Sequence, residues 1–215
     1  MDNVPDDVLE AFVAACRQAA ARGLVRCSSG NLSRRLDETR FLATASRSWM
    51  ATLTRAHVCL CRIADGTLLE GPRPTVEAGF HAGILRARAD VHVVMHFQSP
   101  CATALACRPA GTVGYDVIPE IPFYIGPVAR VPYLLPGSPE LAAAVTAAMQ
   151  EHDLVIMTHH GLVTAAADYE HALQNAEFFE LACDIILRNG NAAAPLPEKD
   201  VARLLMLRRD AKRNV

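Results

Sequence analysis

The amino-acid sequence predicts a mixed α/β fold, a layered sandwich of helices and strands in a single domain. Helical and strand-like segments alternate along its 215 residues, but without the regular βαβ period of a doubly wound parallel sheet. No linker-like segment divides the chain, and its length suits a single hydrophobic core. We therefore expect one domain spanning residues 1–215.

The N-terminal half begins with a helix and continues as strands. Residues 8–22 carry apolar side chains at helical spacing, and Gly23 follows as a helix stop. Short runs of small and hydroxyl-bearing residues between turn signals predict strands within residues 24–61. Residues 74–88 return to a helical period, with Glu77 in the first turn. The β-branched run in residues 90–97 then predicts a buried strand.

The C-terminal half alternates in the same way. A short helix is expected at residues 102–106, whereas residues 118–136 contain too many prolines for a central strand. Ser138 is a suitable N-cap for a helix at residues 141–149, and residues 154–158 predict a strand. Asp168 caps a long helix at residues 169–187, and a final helix begins at Glu198.

Composition argues against two classes of partner. The formal net charge is −2, and the one basic cluster, at residues 208–213, is typical of a solvated helix end, so we expect no nucleic-acid partner. No window approaches the roughly 20 apolar residues that a bilayer crossing needs, and the acidic N-terminus does not resemble a secretory leader. We expect a cytoplasmic protein with reduced cysteines and no membrane partner.

Polar side chains mark the ends of three predicted elements. Glu77 lies at a helix start, His96 and Gln98 at the end of one strand, and His160 at the end of another. Residues two apart on a strand share a face, so His96 and Gln98 can offer two ligands to one ion. Taken alone, however, a histidine such as His96 is more often a satisfied core residue than a ligand.

Four motifs occur in a characteristic order: Ser28-Ser29-Gly30-Asn31-Leu32-Ser33, Glu77-Ala78-Gly79-Phe80-His81, His96-Phe97-Gln98-Ser99-Pro100 and His160-Gly161-Leu162. They resemble the S/T-x-G-N-x-S loop, the E-x-x-x-H helix start, the H-x-H-S-P strand end and the H-G-[LP] turn of the class II aldolase/adducin family. The resemblance covers nearly the whole chain. It implies a mostly antiparallel central sheet flanked by helices.

The same resemblance implies a metal site. Enzymes of that family bind one divalent ion, usually zinc, through three histidines, and a glutamate serves as acid/base. By motif, Glu77 is the implied catalytic residue and His96 and His160 are implied ligands, while Gln98 stands where the second histidine is expected. Zinc is the expected ion, and the amide of Gln98 leaves manganese, iron or magnesium, or recruitment of His159, open.

The remaining histidines are not implied ligands. We expect His57, His81, His152 and His171 to be packing or surface residues, and the resemblance implies that His92, four residues before His96, is not a ligand.

A further set of residues resembles the family's phosphate pocket. The residues expected to contact the anionic end of a substrate are Ser28, Gly30, Asn31, Ser46, Arg47 and Thr75. Two departures stand out, because Arg47 replaces a glycine and Thr75-Val76 replaces two serines. A glycine-containing turn with hydroxyl groups can bind an anion through backbone N–H groups. A Ser/Gly turn without function is the alternative.

The resemblance implies an aldolase that cleaves a small phosphorylated or carboxylated ketose through an enediolate. Related decarboxylase, epimerase or dehydratase chemistry uses the same kind of site and remains open. Because Gln98 departs from the ligand pattern, a non-catalytic interaction module like adducin is a further alternative. The family also implies a homotetramer with active sites at subunit interfaces.

Overall fold

The computed structural model describes residues 1 and 4–213. Its helices are α1 (Asp6–Ala21), α2 (Ala78–Ala87), α3 (Pro100–Ala106), α4 (Pro139–Ala148), α5 (Tyr169–Arg188) and α6 (Glu198–Arg213). Its strands are β1 (Asn31–Arg35), β2 (Arg40–Thr44), β3 (Val58–Arg62), β4 (Leu68–Glu70), β5 (Val93–Phe97), β6 (Ala129–Val131), β7 (Leu154–Met157) and β8 (Gly161–Ala166).

All of these strands form one eight-stranded sheet in the order β4-β3-β2-β1-β5-β8-β7-β6. The neighbouring strands are antiparallel throughout, apart from the parallel pair β6 and β7 at one edge. The predicted mixed α/β sandwich with a mostly antiparallel sheet is therefore confirmed. The central strands β1, β5 and β8 connect the two halves of the sheet.

The sheet separates two hydrophobic cores, because successive residues of a strand face opposite sides. On β5, Met95 packs with α1, α3 and α5, while Val94 packs with α2 and α4. Both faces of β5 are thus covered, which accounts for the uninterrupted burial of its residues. His96 shares the face of Val94 and lies near the end of the strand, beside α2.

Helix α2 begins at Ala78, later than the start predicted at residue 74. The preceding residues are held by the sheet instead, since Thr75 N donates to Thr44 O at 3.0 Å and Pro74 forms a bridge with Ala45. Glu77 consequently lies in the N-cap position of the helix rather than in its first turn.

Strand β8 was absent from the predicted elements. Its sequence, Gly-Leu-Val-Thr-Ala-Ala, is short and half of it is glycine or alanine, which have low strand propensity. Its pairing with β5 and β7 on both sides, rather than local preference, determines its conformation.

Residues 118–136 form no central strand, as their prolines predicted, and contribute a single π-helical turn at Ile121–Ile125 and the short edge strand β6. Helix α6 lies beside residues 121–125 of this segment. It is connected to the core by the buried Asp153, which accepts hydrogen bonds from Arg208 and, at 2.5 Å, from Lys212. Within the described part of the chain, none of the helices is long and apolar enough to cross a bilayer.

Candidate active site

Glu77, His96 and His160 converge at one end of the sheet, on the side of α2. His160 Nε2 lies 3.3 Å from Glu77 Oε1, and His96 Nε2 lies 3.7 Å from Glu77 Oε2. The three donor atoms are all within 4.8 Å of one another. Glu77 is 5% exposed and His96 2% exposed, so the cluster is removed from bulk water and its electrostatic interactions are strong.

His96 is oriented by the strand beside it. Its Nδ1 donates a hydrogen bond to the backbone oxygen of Leu162 on β8, at 2.9 Å. Because a carbonyl can only accept, the ring proton lies on Nδ1 and the lone pair lies on Nε2. A histidine held in this way presents Nε2 as a metal ligand, and the carbonyl partner increases its basicity.

His160 is presented by the tight turn between β7 and β8. His159 occupies the left-handed region with φ 57°, and His160 N donates to Met157 O at 3.1 Å. Burial and the nearby His96 lower the pKa of His160, against the opposing effect of Glu77. Its imidazole is therefore neutral near pH 7, the form in which histidine binds a metal ion.

The turn after His160 requires a glycine. A Cβ at residue 161 would lie 2.7 Å from Phe97 O, 2.8 Å from Gln98 Cγ and 2.9 Å from His96 Cε1. Gly161 thus allows the two strand ends to approach until His96 and His160 lie in edge contact, with ring centroids 4.9 Å apart.

The carboxylate of Glu77 has two distinct oxygens. Oε2 accepts a hydrogen bond from Asn31 Nδ2 at 2.7 Å, whereas Oε1 is buried and has no hydrogen-bond partner within residues 1 and 4–213. Burial alone would raise the pKa of Glu77, but His96, the Asn31 hydrogen bond and His160 together lower it. Glu77 is therefore an ionised carboxylate with one anchored and one available oxygen.

Two residues behind this carboxylate, His81 and Ser33, were not identified as site residues from the sequence. His81, which we expected to be a packing or surface residue, is fully buried and contacts Asn31 Oδ1 through Nε2 at 2.5 Å. Its Nδ1 contacts Ser33 Oγ at 2.7 Å. The available signal was spacing, because His81 follows Glu77 by four residues and so projects from the same side of the helix.

The donor atoms suit a divalent cation. Two ligands about 2.1 Å from a tetrahedral ion lie roughly 3.4 Å apart, and the separations of 3.3 Å and 3.7 Å between Glu77 and the two imidazoles are close to this value. The available oxygen of Glu77 would be costly to bury without a cation. The chemistry of the three groups, one carboxylate and two imidazoles, suits zinc and other first-row divalent ions.

Gln98 lies beside the cluster but just beyond the end of β5. Its backbone N donates to Leu24 O at 3.0 Å, and its Nε2 donates to the backbone oxygen of His160 at 2.9 Å. Gln98 and His96 both border Gly161. His159 is exposed, and it is absent from the possible metal-binding groups found among the described residues.

The residues predicted to bind the anionic end of a substrate differ in backbone conformation and in exposure. Gly30 has φ 72°, and a Cβ there would lie 2.9 Å from His96 O, so only glycine fits. Arg47 also occupies the left-handed region, with φ 62°, where the resemblance implied glycine. Its side chain is exposed, as is Ser28, and Ser46 is half-buried.

Two of these predicted residues also contact Glu77. Asn31 is only 6% exposed, and its amide contacts both Glu77 and His81. The hydroxyl of Thr75 accepts a hydrogen bond from Glu77 N at 3.3 Å. Asn31 therefore contacts the carboxylate itself, whereas Thr75 holds the backbone of the same residue.

The fold and the cluster define a mixed α/β protein with a buried carboxylate and two imidazoles able to hold a divalent ion. The chain belongs to the Class II Aldolase and Adducin N-terminal domain family, which matches residues 10–187.

Curated relatives within the family are enzymes. The 3-oxo-tetronate 4-phosphate decarboxylase of Haemophilus influenzae is 29% identical over 174 residues, covering 80% of this chain and 82% of the relative. The L-fuculose phosphate aldolase of Methanococcus maripaludis is 28% identical over 172 residues, covering 80% of this chain and 91% of the relative.

A solved structure shares the fold. The Escherichia coli protein YgbL superposes with a TM-score of 0.87 at 25% identity, over 93% of this chain and 98% of that protein. This likeness supports the fold and the family membership.

Proposed function

We propose that this protein is a metal-dependent lyase, an aldolase that cleaves a small phosphorylated or carboxylated ketose through an enediolate. The observation that carries the proposal is the convergence of Glu77 with His96 and His160, in which one carboxylate oxygen remains available. Hydrophobic packing alone does not explain why a carboxylate oxygen is buried without a partner. A site that binds a cation and transfers a proton explains it.

His96 and His160 would hold the ion through Nε2, and Gln98 would add its amide oxygen. The Nε2 of Gln98 contacts the backbone oxygen of His160, so its Oε1 is the atom left to face the cation. Zinc is the proposed ion, with manganese, iron or magnesium as alternatives because an amide oxygen suits harder ions. When bound, the ion supplies a positive charge that stabilises negative charge developing on the substrate's oxygens.

Glu77 would carry the proton. As an ionised carboxylate it accepts the proton of the substrate's hydroxyl group while the adjacent C–C bond breaks and an aldehyde leaves. The electron pair of that bond remains on the other fragment as an enediolate. Glu77 then returns the proton to the carbanionic carbon, so the residue ends the cycle in its starting form.

The anionic end of the substrate would bind at the loops near Glu77. The proposed contacts are Ser28, Gly30, Asn31, Ser46, Arg47 and Thr75. Arg47 adds a full positive charge with a planar set of donors that matches either carboxylate or phosphate.

Decarboxylation is the second candidate, and the Haemophilus influenzae relative favours it. In this version the bond that breaks releases CO2 and leaves its electron pair on the adjacent carbon. Glu77 would take up one proton from solvent and deliver it to that carbon. The two reactions use the same residues and differ in the group that leaves.

A parallel assay separates these candidates. Purified protein loaded with zinc, manganese, iron(II) or magnesium would be incubated with L-fuculose 1-phosphate, monitoring dihydroxyacetone phosphate, and with 3-oxo-tetronate 4-phosphate, monitoring CO2. Turnover of the first supports the aldolase, and turnover of the second supports the decarboxylase. Failure of both with every ion, together with substoichiometric metal in the purified protein, would favour the adducin-like interaction module.

The expected assembly follows from the resemblance alone, and the expected location follows from the composition of the chain. A homotetramer with active sites at subunit interfaces, and a cytoplasmic location, stay predictions.

A further inference from the structure

Behind the carboxylate of Glu77, three buried polar side chains form a continuous line of hydrogen bonds. Ser33 Oγ lies 2.7 Å from His81 Nδ1, His81 Nε2 lies 2.5 Å from Asn31 Oδ1, and Asn31 Nδ2 lies 2.7 Å from Glu77 Oε2. Ser33 and His81 are fully buried, and Asn31 is 6% exposed. Asn31 and Ser33 belong to β1, and His81 belongs to α2.

The hydrogen bonds in this line all run in the same direction from donor to acceptor, from Ser33 towards Glu77. Burial and the nearby His96 lower the pKa of His81 to about 3, against the effect of Glu77, so its ring is neutral. A neutral imidazole has one donor and one acceptor nitrogen. Since Asn31 Oδ1 can only accept, His81 donates from Nε2, and its Nδ1 must then accept the hydroxyl proton of Ser33.

The orientation of the Asn31 amide agrees with this direction at both of its ends. With its oxygen held by His81, the amide presents its N–H group to Glu77 Oε2. A flipped amide would place its oxygen against the ionised carboxylate, so the hydrogen bond to Glu77 Oε2 would be replaced by a repulsive contact, and His81 would have to move its ring proton from Nε2 to Nδ1.

We propose that His81 and Ser33 are positioning residues, which orient Asn31 so that Glu77 is anchored through Oε2 and keeps Oε1 free for proton transfer. The inference rests on the proposed function of Glu77 as the proton-carrying group. His81 itself does not exchange a proton with the substrate in this scheme. It acts indirectly, because it orients Asn31, and Asn31 in turn holds the Glu77 carboxylate.

Substitutions at His81 and Ser33 test whether these residues position Asn31 or only fill space in the core. His81→Phe keeps a planar ring against Phe80, with which His81 now stacks at a centroid distance of 4.7 Å, but removes the donor to Asn31. His81→Gln restores an N–H donor. Ser33→Ala removes only the hydroxyl at the far end and is the mildest change, so it stays informative if either His81 variant fails to fold. Thr164→Val is the matched control, because it removes a buried hydroxyl that bonds to Asp153 O elsewhere in the sheet.

Two measurements follow on the metal-loaded protein. The first is a crystal structure of each variant, and we expect the Glu77 carboxylate to rotate away from Asn31 in His81→Phe while His96 and His160 stay in place.

The second is steady-state turnover of whichever probe substrate, L-fuculose 1-phosphate or 3-oxo-tetronate 4-phosphate, the wild type accepts. Misplacing a catalytic group by about 1 Å can lower a rate about 100-fold, so we expect a fall of that order in kcat for His81→Phe, with KM unchanged. His81→Gln should recover part of the loss, Ser33→Ala should show a smaller loss, and Thr164→Val should match the wild type.

The outcomes distinguish this inference from the proposed function. A carboxylate that stays in place in both His81→Phe and Ser33→Ala overturns the positioning role, as does an unchanged kcat in those variants when the wild type is active. If the wild type turns over neither probe but the carboxylate rotates in His81→Phe, the positioning role stands and the proposed reaction fails.

Discussion

His160 Nε2 lies 3.3 Å from Glu77 Oε1, the one carboxylate oxygen that Asn31 leaves unanchored. A buried carboxylate next to an imidazole that burial keeps neutral is costly unless a cation or a proton joins them. This contact therefore suits a site in which a divalent ion and a substrate bind next to both side chains. It also places the proposed proton carrier and a proposed ligand in direct contact.

Glu77→Gln should abolish turnover while metal content is retained. The amide keeps the size of the side chain and an oxygen that can accept from Asn31, but it cannot accept a proton from the substrate. General acid–base groups contribute about 100- to 10,000-fold, so we expect a fall in kcat within that range. Turnover assays and elemental analysis of the same preparation measure the two effects.

The control for this substitution is Glu140→Gln, which changes an exposed glutamate in the first turn of α4. It should leave both turnover and metal content unchanged. Full activity in Glu77→Gln would contradict the role of Glu77 as the proton carrier.

Gly161→Ala should weaken both the fold and the metal site. The added methyl group would meet Phe97 O at 2.7 Å, and because that atom belongs to the backbone of β5 it cannot move aside cheaply. Overpacking of this kind costs about 1–3 kcal/mol. Urea unfolding should show the loss of stability, and titration with zinc should show weaker binding because His96 and His160 are pushed apart.

Gly114→Ala is the matched control. A methyl group at residue 114 would have no neighbour within 4 Å among the residues described here, and its backbone is outside the left-handed region. Stability equal to that of the wild type is expected. If Gly161→Ala proved as stable as this control, the close approach of the two strand ends would not need a glycine.

Sequence motifs anticipated the site better than local patterns anticipated the fold around it. Glu77, His96 and His160 lie in short motifs whose order indicated a shared site, and the structure brings them together. His81 also lies in one of these motifs, the E-x-x-x-H helix start, but its role was not predicted, because a histidine on the apolar face of a helix is usually a packing residue. Its proposed function depends on contacts with Ser33 and Asn31, which are distant from it in the sequence and meet it only in the folded chain.

The boundaries of elements were predicted less well for a related reason. Helical periodicity favoured a helix from residue 74, but the backbone N–H of Thr75 bonds to Thr44 O in the sheet, which delays the helix to Ala78. Strand β8 was missed because its alanines and glycine carry little strand preference. In both cases long-range pairing outweighed local preference.

Gln98→His should raise the affinity for zinc. Imidazole is a better zinc ligand than an amide oxygen, and position 98 borders the same glycine as His96. Part of the gain is offset, because the substitution removes the hydrogen bond from Gln98 Nε2 to His160 O. We expect a net increase of about tenfold or more, the scale on which groups around a metal alter affinity.

Competition with a coloured chelator measures that affinity. Gln98→Leu should bind zinc more weakly than the wild type, and Gln150→His, which adds an imidazole at an exposed position, should match the wild type. Equal zinc affinity in the wild type, Gln98→His and Gln98→Leu would show that residue 98 does not contact the ion.

Acidification should unfold the metal-free protein partly through His81. The pKa of His81 lies at about 3 in the folded chain, below its ordinary value of 6.5, because burial disfavours the charged ring. Between these two values the unfolded chain binds a proton at this residue that the folded chain does not. Stability is therefore fully present above pH 6.5 and is lost as the pH falls towards 3, by up to about 1.4 kcal/mol per pH unit from this residue.

Urea unfolding of chelator-treated wild type and His81→Phe, at intervals from pH 7 to pH 4, tests this assignment. The variant is expected to be less stable at pH 7, since Asn31 loses a hydrogen bond, but its stability should fall less steeply with acidification. The difference between the two proteins should consequently narrow as the pH decreases. Parallel curves for both proteins would show that His81 takes up no proton on unfolding, and that another group causes the acid sensitivity.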